Sequence, residues 1–198
     1  YTPDATPPAI ANMLLDHIRR KTGVYDPYAT IKYLEYKEAL SFMRNLRDKR
    51  PVSLSDHIQL SALGNSTDFF TGGSFHPGSF VFEGDMERIE NILLSGEDEI
   101  LMLGDNMGDL VFDQPLASFL EERGKTVFYA VKGSPVQNDV SLEDIARHDL
   151  GSVYSYILST EKAHVGLSGE DITGPIERLW TGGGPVIAKG MGNFETIS

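Results

Sequence analysis

Three short stretches carry residues whose types and spacing can do chemistry, and each begins where an apolar run stops. In Ile100 to Asp113, ILMLGDNMGDLVFD, four apolar residues lead straight into Gly104, Asp105 and Asn106. A second run passes through Lys132, Gly133 and Ser134 to Asn138 and Asp139, and a third into Lys189, Gly190, Met191, Gly192 and Asn193. Asp105, Asn106 and Asp139 together offer two carboxylates and an amide oxygen, a hard half-shell that suits an oxygen-loving divalent ion. Lys189 brings an ammonium among glycines whose backbone N–H groups stay exposed, and such a combination can cradle a phosphate.

A plainer reading accounts for the same residues. Asp and Asn are common turn formers, and Ser141 with Asp144 has capping-box spacing, which would make Asn138 and Asp139 ordinary loop residues before a helix. LMLGDNMGD also admits a third reading, the first loop of a nucleotide- or S-adenosylmethionine-binding fold, although the full G-x-G-x-x-G pattern is absent. His17, His57 and His148 fall in helical segments and read as structural, and Trp180 reads as packing. His76 and His164 lie in loops from which they could approach a site. Neither G-x-S-x-G nor H-E-x-x-H occurs, which argues against serine hydrolases and zinc proteases.

For the carboxylates to meet, the runs that precede them must be parallel neighbouring strands. Four strand-like runs occur, EILML, TVFYAV, SVYSYILS and PVIAKG, and the first two are followed by helical segments, PLASFLEERG and SLEDIARHDLG. Such β-α alternation predicts a parallel α/β sheet, whose ligands bind beyond the carboxyl ends of its strands. Upstream the rhythm is helical. Pro7 to Gly23 places Ile10, Met13, Leu14, His17 and Ile18 on one face; a second helix follows Asp26 and carries Ile31, Leu34, Leu40, Met43 and Leu46 towards the basic turn RDKR. A third runs from Ser53, in capping-box spacing with Asp56, to Gly64. The glycine-rich segment STDFFTGGSFHPGSFVF reads as a loop, and MERIENILLSG as a short helix. The helix after Gly108 starts either near Asp109, with Pro115 kinking it, or at an Asp113 cap with Pro115 in its first turn. We therefore expect a helical layer over 1–95 and an α/β domain over 96–198, the boundary falling between Asn65 and Asp98.

Composition narrows the partners. The chain has 198 residues, 40% of them hydrophobic, and no cysteine, which permits a real core but no disulfide, thiolate metal site or cysteine nucleophile. A net charge of −12 without any extended basic run disfavours nucleic acid and anionic membrane surfaces. No apolar run approaches the roughly 20 residues of a membrane span, and the opening YTPDATPPAI has no basic n-region followed by an apolar core, so a cytoplasmic location is expected. The missing initiator Met and the end on a Gly-rich motif in place of a covering helix lead us to expect that segments are absent from both ends.

Taken in order, LGDNMGDLVFD, AVKGSPVQNDVSLED and VIAKGMGNFET resemble the signature blocks of the damage-control phosphatases, a metal-dependent family first catalogued as domain of unknown function 89. KTGVYDPY and ALGNSTDFF resemble its helical-layer motifs, so the agreement extends from about Thr6 to the C-terminus. The resemblance implies a three-layer α/β/α, Rossmann-like fold with an N-terminal helical layer and a divalent-metal site, for magnesium, manganese, cobalt or nickel, in the sheet crevice. By motif match Asp105 and Asn106 take the place of the family's Asp-Asn metal pair, and Asp139 that of its Asn-Asp aspartate. Lys189 matches the lysine that faces the substrate phosphate. Asp105 and Lys189 would then be catalytic, and Lys132, Asn138, Lys189, Gly190, Gly192 and Asn193 would surround the phosphate. The implied activity is hydrolysis of small phosphorylated metabolites such as sugar phosphates or phosphopantetheine-like compounds. A carboxyl methyltransferase using S-adenosylmethionine, and a non-catalytic metal-binding module, are the competing functions. Gly108-Asp109 departs from the family's usual Gly-Glu by one methylene, and the N-terminal cysteine pair of many compact relatives is absent.

Overall fold

Short runs rich in Val, Ile, Phe and Tyr, bounded by glycine and polar residues, make strands in place of helices. They form β1 (Glu99–Leu103), β2 (Thr126–Val131), β3 (Tyr156–Ser159) and β4 (Val186–Ala188). The computed structural model describes residues 7–46, 51–66, 80–169 and 171–197. Its sheet is parallel throughout, in the order β3-β2-β1-β4. β1 pairs with β2 from Glu99↔Thr126 to Leu103↔Ala130, so the two strands finish level.

Eight helices among the described residues surround this sheet: α1 (Pro7–Thr22), α2 (Ala29–Asn45), α3 (Leu54–Asn65), α4 (Met86–Ser95), α5 (Asp109–Glu121), α6 (Leu142–Arg147), α7 (Gly174–Thr181) and α8 (Gly190–Ile197). Alternation along β1 sends Ile100 and Met102 to one face, where they pack with Leu54, Ile58, Leu93, Leu116 and Leu120 from α3, α4 and α5. Leu101 and Leu103 go to the other, against Ile176 and Leu179 of α7 and Ile197 of α8. Because both faces are covered, β1 reads as a continuous apolar run. The result is a three-layer α/β/α arrangement preceded by helices. Each fully buried Leu or Ile in it contributes about 1.5–3 kcal/mol.

The expected cap at Ser53 is present, its hydroxyl accepting from Asp56 N at 3.1 Å while Asp56 accepts from Ser53 N at 2.9 Å. α5 starts at Asp109 and carries Pro115 inside it. Three expectations need correction. In α1 the inward residues are Pro8 and Leu15, whereas Met13 and Leu14 are exposed. This helix faces polar loop backbone: Asn12 Oδ1 accepts from Val165 N at 2.8 Å, and the Arg19 guanidinium donates to Pro135 O. In α2 the buried positions are Lys32, Glu35 and Ala39, because its inner face meets a polar turn as well as α5. Finally, the Gly-rich motif after β4 does not remain a loop. It opens α8, whose Ile197 helps cover the sheet. The basic turn RDKR and most of the glycine-rich segment, His76 included, lie outside the described residues.

Candidate functional site

Strand exits β1 and β2 are stitched together by backbone. Gly104 N continues the pairing to Ala130 O at 2.9 Å, after which Val140 N donates to Asp105 O at 2.8 Å and Met107 N to Asn138 O at 2.9 Å. Asn106 and Asp139 form an isolated antiparallel bridge. Asp105, Asn106, Asn138 and Asp139 thereby line one cavity of about 630 Å³, with Asn65 of α3 and Gly192 of α8 on its other walls. That volume falls in the range of small-molecule pockets.

The carboxylates at this cavity repel one another, Asp139 buried and Asp105 half-buried. Burial, and then the charge of Asp139, push Asp105 up to about 7. Burial also raises Asp139 to about 6, with Lys132 pulling the other way. Asp109, at the start of α5, is raised to about 7 by burial, with Lys189 opposing and Asp113 and Asp105 reinforcing. Asn65 spans the pair, its amide donating to Asp105 Oδ2 at 2.9 Å and to Asp109 Oδ2 at 2.8 Å. The remaining Asp109 oxygen is buried with no hydrogen-bond partner.

The two lysines lie deeper. Lys189 Nζ donates to Asp113 Oδ1 at 2.7 Å and to Ser61 O at 2.8 Å. Burial alone would lower its pKa, but Asp113, Asp109 and Asp105 raise it above the usual lysine value. Asp113 further accepts from Ser61 Oγ at 2.5 Å and Tyr129 OH at 3.1 Å. Lys132 Nζ donates to Gly166 O at 2.6 Å and stands 3.6 Å from Asp139 Oδ2. Asn193 sits below α8's first turn, donating to Lys189 O at 2.8 Å while its Oδ1 is buried without a partner. Gly190 is required sterically: φ is +82°, and a Cβ there would run into the Asp105 carboxylate.

Asp105, Asn106, Asn138, Asp139 and Gly192 thus share the cavity wall, Gly190 presses on Asp105, and Lys132, Lys189 and Asn193 lie behind. His164 lies apart, 3.3 Å from Asp171. His57 packs on Phe119 with ring centres 4.4 Å apart, and His148 stacks on Tyr33 at 5.3 Å. Sequence reasoning missed Asn65, Ser61 and Asp113 as site neighbours. The spacing of four between Asp109 and Asp113 is the available signal for Asp113, since it puts both carboxylates on one line of a helical start.

Among the described residues no three carboxylate or imidazole side chains gather into a ready-made metal cage. Nevertheless, Asp105, Asp139 and the neighbouring amide oxygens give an all-oxygen donor set. Two carboxylates that repel one another, one buried and one half-buried, beside a third with an orphaned oxygen, fit a hard cation.

The damage-control phosphatase ARMT1-like domain matches residues 1–198. The chain is 25% identical to damage-control phosphatase PH1575 of Pyrococcus horikoshii, the match covering 100% of this chain and 72% of that protein. It is 24% identical to the uncharacterized protein MJ0202 of Methanocaldococcus jannaschii, over 100% of this chain and 70% of the other. The crystal structure of the family protein from Pyrococcus horikoshii superposes with a TM-score of 0.79 at 23% identity, covering 93% of this chain and 68% of that one. It has the same fold.

Proposed function

The chain belongs to the damage-control phosphatase ARMT1-like family, and from that premise we propose that it hydrolyses small phosphorylated metabolites with a divalent ion held by Asp105, Asn106 and Asp139. The observation that carries this reading is the stitched pair of strand exits, which puts two carboxylates and two amides on one cavity of about 630 Å³. A divalent ion bound there supplies polarisation of phosphoryl oxygens and an activated water.

The chain's own residues do the rest. Asn138 presents its amide to the cavity and orients a bound phosphate. α8 opens onto it at Gly192, so N–H groups that have no partner within the helix are available to phosphate oxygens. Lys132 and Lys189, behind the wall, offset the carboxylates' charge and lower the barrier to bringing a dianion into an acidic protein. A cavity of this size takes a sugar phosphate or the phosphate end of a pantetheine-like compound. The net charge of −12 favours such small ligands over nucleic acid, and no helix among the described residues is long and apolar enough to cross a membrane.

The test is phosphate release from a panel of sugar phosphates and phosphopantetheine with magnesium, manganese, cobalt or nickel, against EDTA and Asp105→Ala. Metal-dependent release, lowered about 100- to 1,000-fold in the variant, is expected, as for loss of a group acting directly on the transition state. Full activity in Asp105→Ala would sink the assignment. Methyl transfer from S-adenosylmethionine without phosphate release would replace the function.

A further inference from the structure

The turn that carries Asp139 is held by backbone on the β1 side and by buried charged side chains on the other. Residues 136–139 close on an isolated Val136↔Asp139 bridge, with Asp139 N donating to Val136 O at 3.0 Å, and Met107 N to Asn138 O and Val140 N to Asp105 O tie the turn to the β1 exit. Gln137 within it has φ +43°, a left-handed conformation that a residue with a Cβ keeps only when its surroundings impose it.

Opposite the β1 exit, the surroundings are the inner face of α2. Lys32 is 0% exposed and Glu35 is 3% exposed, and long charged side chains are rarely buried so completely unless partnered. Both reach the same segment. Glu35 Oε1 accepts from Asn138 Nδ2 at 3.0 Å, immediately before Asp139. Lys32 Nζ donates to Asp144 Oδ2 at 2.8 Å, and that same oxygen accepts from Ser141 N at 3.0 Å and Ser141 Oγ at 2.5 Å. Lys32 also lies 3.5 Å from Asp26, which Arg147 of α6 approaches at 3.7 Å. At Gly108 a Cβ would lie 3.6 Å from the Glu35 backbone oxygen, so the same turn of helix backs the β1 exit as well.

We propose that Lys32 and Glu35 form a two-point brace that positions Asp139, gripping its turn from the residue before it and from the capping box after it. A buried ion pair is no better for stability than well-packed apolar residues. Its merit lies in direction: hydrogen bonds fix where Asn138 and Ser141 sit, and Asp139 is left with little freedom between them. The brace stands on geometry alone, and its effect on metal binding rests on the function proposed above.

The experiment uses Glu35→Leu, Glu35→Gln and, as a packing control on the same helix, Phe42→Ala. Amide hydrogen exchange at Asp139 and Val140, and calorimetric titration with Mn²⁺ alone, are measured beside the melting temperature. Glu35→Leu is expected to speed exchange at both amides at least tenfold and to weaken Mn²⁺ binding about 10–100-fold, the usual loss when a partner behind a metal ligand is removed. Glu35→Gln keeps the acceptor and should restore both. Phe42→Ala, which loosens α2 against α5 (ring centres of Phe42 and Phe112 are 5.4 Å apart), should lower the melting temperature without changing either. Unchanged exchange in Glu35→Leu overturns the brace, as does an equal effect from Phe42→Ala at a matched loss of stability. A wild-type chain that binds no Mn²⁺ yet shows the expected exchange pattern supports the brace and removes the metal reading.

Discussion

At the scale of single residues, the site separates groups that face the cavity from groups that hold them there. Lys189 shows the difference. Its ammonium is committed to Asp113 and to the Ser61 carbonyl, in a place where an unpartnered carboxylate would be strongly penalised. Breaking a buried pair by removing one member typically costs about 3–5 kcal/mol. Lys189→Met is therefore expected to lose stability by about that amount, whatever it does to turnover. Adding Asp113→Leu to it should recover a large part of the loss, since the orphaned charge is gone. Urea melts of the wild type, the two single variants and the double variant check this, and additive single effects would refute the coupling. Activity lost in Lys189 variants thus requires a folding measurement beside it before a role towards phosphate is assigned.

Elements decide how closely these residues can meet. α3 and α5 pack face to face beneath the cavity, and Gly64 lets them do so: a Cβ there would lie 2.6 Å from the Cβ of Phe112 and 2.8 Å from its Cγ. Gly64→Ala gains about 1 kcal/mol of helix propensity but forces against an atom fixed directly to the α5 backbone, where overpacking costs about 1–3 kcal/mol. A net loss of stability is expected, accompanied by weaker metal binding because Asn65 is the next residue. An unchanged or higher denaturation midpoint would show that the helices can part freely. The same scale marks what the sequence disclosed. Strand runs, the capping boxes at Ser53 and Ser141, and the placement of Asp105, Asn106 and Asp139 at adjacent exits followed from local patterns, because alternation and caps are local properties. Lys32 and Glu35 did not, since a Lys and a Glu three residues apart normally signal a solvated helix face. Nor did the helical start at Gly190, where four residues with two glycines look like a loop until β4 and Asp105 fix their conformation.

For the whole molecule, charge is the deciding quantity. The chain carries −12, and partial or full burial pushes three of its aspartates, 105, 109 and 139, up to about 7, 7 and 6, well above the ordinary carboxylate value near 3.9. A carboxyl raised on folding makes the native state bind protons that the unfolded chain has already released. Stability then falls as pH climbs from the unfolded value through the native one. General repulsion among surface acids acts in the same direction. The metal-free protein, kept in EDTA, is expected to show a melting temperature that declines steadily from pH 5 to pH 8. A divalent ion replaces the protons as the compensating positive charge, so excess Mn²⁺ should raise the melting temperature little at pH 5 and most at pH 8, where all three carboxylates must be ionised. Scanning fluorimetry over that range, with and without Mn²⁺, tests both halves. If the metal-free curve rises with pH, the buried carboxylates are already compensated within the chain, and a cation has nothing to neutralise at the strand exits.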